Sequence, residues 1–309
     1  MSILLTLAAA AASGNCPAQT AMLDGLAKTV EARYADVDDA RVIAGQIRDW
    51  RRIGRYGPDC GKDPVFLERL NRDLDAYDGH FHVERAGADN GDDWLLEWRK
   101  GALAANAGLR ETSVLEGNIG YVRISSFYPW DVARPKYQAA WTLLADTAGL
   151  IIDLRQNGGG DAEAAEQIVQ SMLGGEAAAL QEIDRRGVRE PDPLPRAELP
   201  SYGADKPVIV LVDRRSASAS EFVAFALQKA GRAQVVGTRS AGAASMMGDP
   251  VPLPGGYQVI VPEARPLSLV SGTNWEGSGV VPDVRGGDDS LFVARSLIAA
   301  AVAGDRTAR

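Results

Sequence analysis

Apolar positions in the first part of the chain recur at helical spacing. Leu23, Leu26, Ala27, Val30 and Tyr34 form one such series, and Leu67, Leu70 and Leu74 another, which predicts helices between Ala18 and Tyr77. Asp63-Pro64 reads as the N-cap and first-turn proline of the later helix. After Asp78 the period changes: His80 to Glu84 alternates, Trp94 to Trp98 reads as extended, and Ile119 to Ile124 as a strand. Gly149 to Leu154 and Val208 to Val212 are nearly continuous apolar runs, the pattern of strands covered on both faces. The first passes through Gly158-Gly159-Gly160 into an alanine-rich helix from Asp161 to Leu173. The second enters a helix from Ser218 to Ala230, and Ala233 to Val236 follows as a third strand. This βαβ series predicts an α/β fold with a mostly parallel sheet. The charged, proline-rich stretch from Glu176 to Lys206 reads as a surface excursion or flap, and Pro250 to Pro262 as a hairpin about Gly255-Gly256.

Composition narrows the classes of function. The chain has 309 residues, 46% apolar and 24% charged, ordinary values for a soluble globular protein. A net charge of -8 argues against a nucleic-acid partner, because nothing would neutralise a phosphate backbone. The basic run Arg48 to Arg55, interleaved with Trp50 and Ile53, reads as the solvated face of a helix. At the N-terminus, Ile3 to Leu7 and the alanines up to Ala12 make an apolar run too short to span a bilayer. It resembles a secretory signal with an A-x-A-like cleavage region, although no Lys or Arg precedes it. Residues 1–15 are therefore expected to be a signal peptide, and the protein to be exported, periplasmic or extracellular, without a stable membrane span. Cys16 and Cys60 match no zinc spacing; in an exported chain they permit one disulfide, and two unrelated thiols are the alternative.

Four groups of residues are candidates for chemistry. Ser216-Ala-Ser-Ala-Ser220-Glu221 lies where a buried strand hands over to a helix, so Ser218 would stand beside unpaired helix amides able to hold an oxyanion, that of Ala219 first. Small hydroxyl residues also favour N-caps, so the same serines fit a purely structural role. Gly158-Gly159-Gly160 opens the other helix and suits either a second oxyanion donor or a plain tight turn. It lacks the Rossmann pattern and the Walker lysine. The two histidines, His80 and His82, would share one face of a strand; each fits a general base or a structural histidine. Glu276, in Thr273-Asn-Trp-Glu-Gly277, can orient a histidine or be an ordinary loop carboxylate.

Taken together, Asp153-Leu-Arg-Gln-Asn-Gly-Gly-Gly160, Ser216-Ala-Ser-Ala-Ser-Glu221, Gly231-Arg-Ala-Gln-Val-Val-Gly237 and Gly279-Val-Val-Pro-Asp283 resemble the signature series of the S41 peptidases. This is the family of tail-specific (C-terminal-processing) proteases, the tricorn core and the interphotoreceptor retinoid-binding repeats. The resemblance runs from about Ala18 to Val284. It implies a crotonase- or ClpP-like β/α spiral core over residues 78–309, behind a small helical subdomain over residues 16–77. It places the nucleophile at Ser218, with the oxyanion held by the amides of Ala219 and of Gly159 or Gly160. The tail-specific branch takes its general base from a lysine after the Gly-Arg-Ala strand; here Ala243 stands in that position. The tricorn-like branch uses Ser with His and Glu, and His80 and Glu276 occupy the matching contexts. Such a constellation needs no metal or organic cofactor, and its partner is a peptide or protein substrate. The short stretch between His80 and Ile119 leaves no room for the PDZ domain of many relatives. A non-catalytic module binding apolar ligands or peptides on the same scaffold is the alternative function.

Overall fold

The computed structural model describes residues 16–87, 91–174 and 179–307; the expected signal segment over residues 1–15 lies outside them. The chain divides into two compact units. One runs to residue 88 and takes in Met247–Glu263, and the other holds residues 89–246 and everything from Ala264 onward. Among the described residues no helix is long and apolar enough to cross a membrane.

The first unit opens with α1 (Pro17–Arg33), α2 (Val37–Arg52) and α3 (Asp63–Asp75), followed by β1 (His82–Arg85). Asp36 caps α2, its carboxylate accepting from the amides of Asp38 and Asp39. The apolar stripes of the three helices meet in one core. Met22, Leu26, Ile43, Ile47, Phe66, Leu70 and Leu74 pack there with Val83, Tyr257 and Val259. Burial of each such side chain contributes roughly 1.5–3 kcal/mol. The hairpin of β10 (Val251–Leu253) and β11 (Tyr257–Ile260) turns at Gly255-Gly256, and β1 pairs with the other edge of β11.

Three local details depart from or extend the sequence reading. Asp63 is not the cap of α3: that place falls to Lys62, whose side chain makes no capping bond. The Asp63 carboxylate instead accepts from the Tyr257 hydroxyl at 2.7 Å and from the Arg85 guanidinium. The basic run is a face of ion pairs, with Arg48 on Glu31, Arg51 on Asp24, Arg52 on Asp49 and Arg55 on Asp73. Cys16 and Cys60 are joined, their Cα atoms 5.8 Å apart, fastening the start of α1 to the turn before α3.

The second unit begins with α4 (Gly91–Ala104), where an extended segment was expected around Trp94. That stretch contains no β-branched residue and is rich in Leu, Ala and straight-chain side chains, so helix propensity decides it. Next come β2 (Leu109–Leu115), β3 (Ile119–Ile124), α5 (Trp130–Leu144), β4 (Gly149–Asp153) and α6 (Ala162–Leu173). The expected excursion contains a hairpin, β5 (Ala179–Arg185) and β6 (Val188–Pro193). Then follow β7 (Val208–Val212), α7 (Ala219–Lys229) and β8 (Gln234–Gly237). The chain leaves this unit at the two-residue strand β9 (Met246–Met247) and returns along β12 (Pro262–Ser268), whose Arg265–Ser268 portion pairs with β5. It closes with β13 (Val284–Arg285) and α8 (Ser290–Thr307).

The α/β fold is present as expected. The main sheet has the order β13-β8-β7-β4-β3-β2, parallel throughout except for β2 at one edge. Alternation along its central strands explains their continuous apolar runs. Val208, Val210 and Val212 face the core shared with α5, α6 and α7, whereas Ile209 and Leu211 face Ala294 and Ile298 of α8.

Candidate active site

Because β4 and β7 are parallel neighbours, their carboxyl ends release two turns side by side. One is Asn157–Gly160, opening α6; the other is Ser216–Ser218, opening α7. Clefts at the carboxyl ends of parallel strands are where ligands meet backbone amides.

Asn157 ties the turns together. Fully buried, it donates from Nδ2 to the Ile124 carbonyl (3.2 Å), while its own carbonyl accepts from the Ala217 amide (2.9 Å) and the Ser220 hydroxyl (2.8 Å). The approach is close enough to require glycine. A Cβ on Gly159, at φ +98°, would lie 2.8 Å from the Ser218 Cβ. One on Gly160, at φ +129°, would lie 1.9 Å from the Phe127 carbonyl oxygen.

The three serines of the motif separate in space. Ser216 is buried, accepts from the Asp213 amide and donates to the Leu154 carbonyl at 2.8 Å. Ser220 is buried too and donates to the carbonyls of Asn157 and Ala217. Ser218, half-buried between them, holds φ +55° and ψ −123°, a conformation that costs an L-residue on the order of 1–3 kcal/mol. A serine on a strained strand-to-helix turn is the geometry that presents a nucleophile.

Beside it, the Ala219 amide is the first of α7 and has no acceptor among the described residues. Of the two glycine amides expected as a second donor, that of Gly159 is engaged by Asn157 Oδ1 at 2.8 Å. The bridge to Phe127 runs through the Gly159 carbonyl and the Asp161 amide. The Gly160 N–H therefore faces away from Phe127 and meets no acceptor among the described residues.

Sequence reasoning passed over Glu221, although it ends the serine motif. Its carboxylate is fully buried and takes four donors: the Ser218 amide (2.9 Å), the Ala243 amide (2.9 Å), the Gly242 amide (2.7 Å) and the Ser240 hydroxyl (2.5 Å). Burial pushes this carboxyl above the usual range, against the pull of the Ser240 hydroxyl and the three amides. Glu276 grips the next two residues of the same segment, its Oε2 accepting from the amides of Ala244 (2.6 Å) and Ser245 (2.8 Å). Trp275 adds a bond from Nε1 to the Ala243 carbonyl.

His80 belongs to the first unit and precedes β1, which starts at His82. The two imidazoles consequently do not share a strand face, because alternation begins only after His80. His82 is exposed, 3.6 Å from Glu84. His80 is held by Asp78, two residues before it in the chain. Asp78 Oδ1 accepts from the His80 amide (2.9 Å) and lies 3.1 Å from His80 Nδ1, and Tyr34 donates to Oδ2. A carboxylate on Nδ1 fixes the ring and directs the lone pair to Nε2. Both histidines line a cleft of about 650 Å³ with Asp75, Met247 and Ile260.

The model of peptidase family S41 matches residues 118–285. A carboxy-terminal-processing protease of Bartonella bacilliformis is 33% identical over 187 residues, which are 55% of this chain and 39% of that protein. A chloroplastic C-terminal processing peptidase of Tetradesmus obliquus is 34% identical over 170 residues, 54% of this chain and 35% of that one. The chain thus spans well under half the length of these curated relatives. Two solved structures share the fold at low identity. A lipoprotein from Streptococcus agalactiae has a TM-score of 0.62 at 14% identity, covering 97% of this chain and 99% of its own. A candidate peptidase from Parabacteroides merdae has 0.63 at 19%, covering 91% and 96%.

Proposed function

The chain belongs to peptidase family S41, and on that premise we propose that it is a serine peptidase with Ser218 as nucleophile and His80 as general base. Ser218 Oγ attacks the carbonyl carbon of a peptide bond while His80 Nε2 takes its proton. The oxyanion is met by the Ala219 amide and, of the glycine turn, by the Gly160 amide rather than that of Gly159. His80 then returns the proton to the leaving amine, and water hydrolyses the acyl-serine by the same route in reverse. Asp78 orients the imidazole, and Glu276 is the second carboxylate of the constellation.

The observation that carries this reading is the fate of the three serines. Ser216 and Ser220 commit their hydroxyls to the backbone of neighbouring turns, and Ser218 alone stands on strained backbone beside an unengaged helix amide. Export fits the Cys16–Cys60 bond, which persists in oxidising compartments. The substrate is a peptide or protein of that compartment, and the names of the curated relatives point to processing near chain ends.

The test is fluorophosphonate labelling together with turnover of a peptide library. Ser218→Ala should abolish labelling and lower turnover by orders of magnitude, and His80→Ala should be nearly as damaging, because residues acting as one unit are non-additive. Ser216→Ala and Ser220→Ala should still label. Activity should fall as pH drops through the imidazole range, about 6.5 for an ordinary histidine. Unchanged turnover in Ser218→Ala would refute Ser218 as the nucleophile, and a parent protein with neither labelling nor turnover would return the binding-module function to first place.

A further inference from the structure

We propose that Glu221 is a positioning residue that locks the nucleophile turn and the Ser240–Ser245 segment into one rigid body. This inference rests on Ser218 being the nucleophile, as proposed above.

An ordinary capping box asks little of its acid. The N3 side chain returns one oxygen to the N-cap amide, and one such bond is all the motif requires. Glu221 makes that bond to the Ser218 amide, yet it is fully buried and carries three further donors from residues about twenty positions downstream. Taking a carboxylate out of water costs several kcal/mol unless its lone pairs are filled. A capping role alone does not call for that placement. A role in which two segments must be held at a fixed separation does.

The division of labour between the two oxygens shows what is held. Oε2 is shared by the Ser218 amide and the Ala243 amide, so the nucleophile's own backbone and the downstream segment bond to one atom. Oε1 takes the Ser240 hydroxyl and the Gly242 amide. Ser240 is fixed in turn, since its Oγ accepts from the Val280 amide at 2.6 Å. Glu276 then grips Ala244 and Ser245, immediately beyond. The strained φ at Ser218 and the placement of the Glu276 carboxylate therefore depend on the same buried anion. Displacing either by about 1 Å suffices to cost on the order of 100-fold in rate.

Glu221→Gln tests this with little change of shape. The amide group offers an N–H₂ where one oxygen stood: in one orientation it faces the Ser218 and Ala243 amides, and in the other it faces the Gly242 amide while the Ser240 hydroxyl turns to accept. Labelling of Ser218 should slow by roughly 100-fold, and kcat should fall with KM nearly constant, because Glu221 is buried behind the nucleophile turn and touches no substrate. Ser240→Ala removes one of four donors and should lower kcat by a few fold, again at constant KM. Labelling of Glu221→Gln at the parental rate would overturn the proposal. So would equal losses in kcat and in the folded fraction read by circular dichroism, which mark a merely structural acid. If Glu221→Gln fails to fold, Ser240→Ala and Glu221→Asp decide: parental kcat in both refutes positioning, and a kcat loss at constant KM and constant melting temperature upholds it. A parent protein that is itself not labelled would refute the serine-peptidase reading instead, which keeps the two failures apart.

Discussion

Replacing Glu166 by glutamine should stabilise the protein above neutral pH and leave it unchanged in mild acid. Glu166 lies on α6 among other acids. Burial first, then the charges of Asp192, Glu163 and Asp161, raise its pKa from 4.5 to about 7. Between those two values the folded state binds more protons than the unfolded chain, so stability declines as pH rises through the window. At about 1.36 kcal/mol per pKa unit the shift corresponds to roughly 3 kcal/mol. Partial exposure of the side chain to solvent screens the neighbouring charges and brings the expectation nearer to 2 kcal/mol. Glutamine mimics the protonated acid at every pH. Urea unfolding followed by circular dichroism at pH 4.5 and pH 8 should therefore give a gain of about 2 kcal/mol at the higher pH only. An equal change at both pH values would show that packing or hydrogen bonding, and not the raised acid, governs this position.

Two further outcomes follow from the geometry. Reduction of the Cys16–Cys60 bond, which spans 44 residues, should lower the stability of the first unit by up to about 4 kcal/mol on the chain-entropy argument, without altering Ser218 labelling once the protein is refolded. Scanning calorimetry with and without reductant measures this, and an unchanged transition refutes it. Position 243 offers a test of the base. The Ala243 and Ser218 amides share one carboxylate oxygen, so a lysine introduced at 243 starts within side-chain reach of the nucleophile. In a His80→Ala background, Ala243→Lys should restore part of the turnover, with the acidic limb of the pH profile moved to higher pH. Activity no better than that of His80→Ala alone would mean that the position does not face Ser218.

Much of the scaffold was legible in the sequence, because periodicity is a local property that side-chain spacing records. The runs at Gly149 to Leu154 and Val208 to Val212 announced doubly covered strands, and those strands sit at the centre of a parallel sheet. The glycine turn and the serine turn were visible for the same reason, since both end such runs. Where local cues were balanced, the sequence misled. The region around Trp94 offered hydrophobic residues without a clear period, and the absence of β-branched side chains settled it as helix. Asp63 looked like a cap until Tyr257 and Arg85 drew its carboxylate away, a competition decided by residues distant in sequence.

The chemistry depended more heavily on tertiary structure. Three serines of nearly equal promise differ only in what surrounds them, and the carbonyls of Leu154 and Asn157 that occupy Ser216 and Ser220 come from another strand's turn. Glu221 reads in the sequence as one more acid in the first turn of a helix. Its meaning comes from three donors delivered by the chain returning after β8. Asp78 likewise shows its hold on His80 only once the turn before β1 is folded. The sequence by itself determined the central strands and the helices that follow them, through propensity and period. Which polar groups are left unpaired at their ends, and so remain available for chemistry, was decided by the order in which the strands pack.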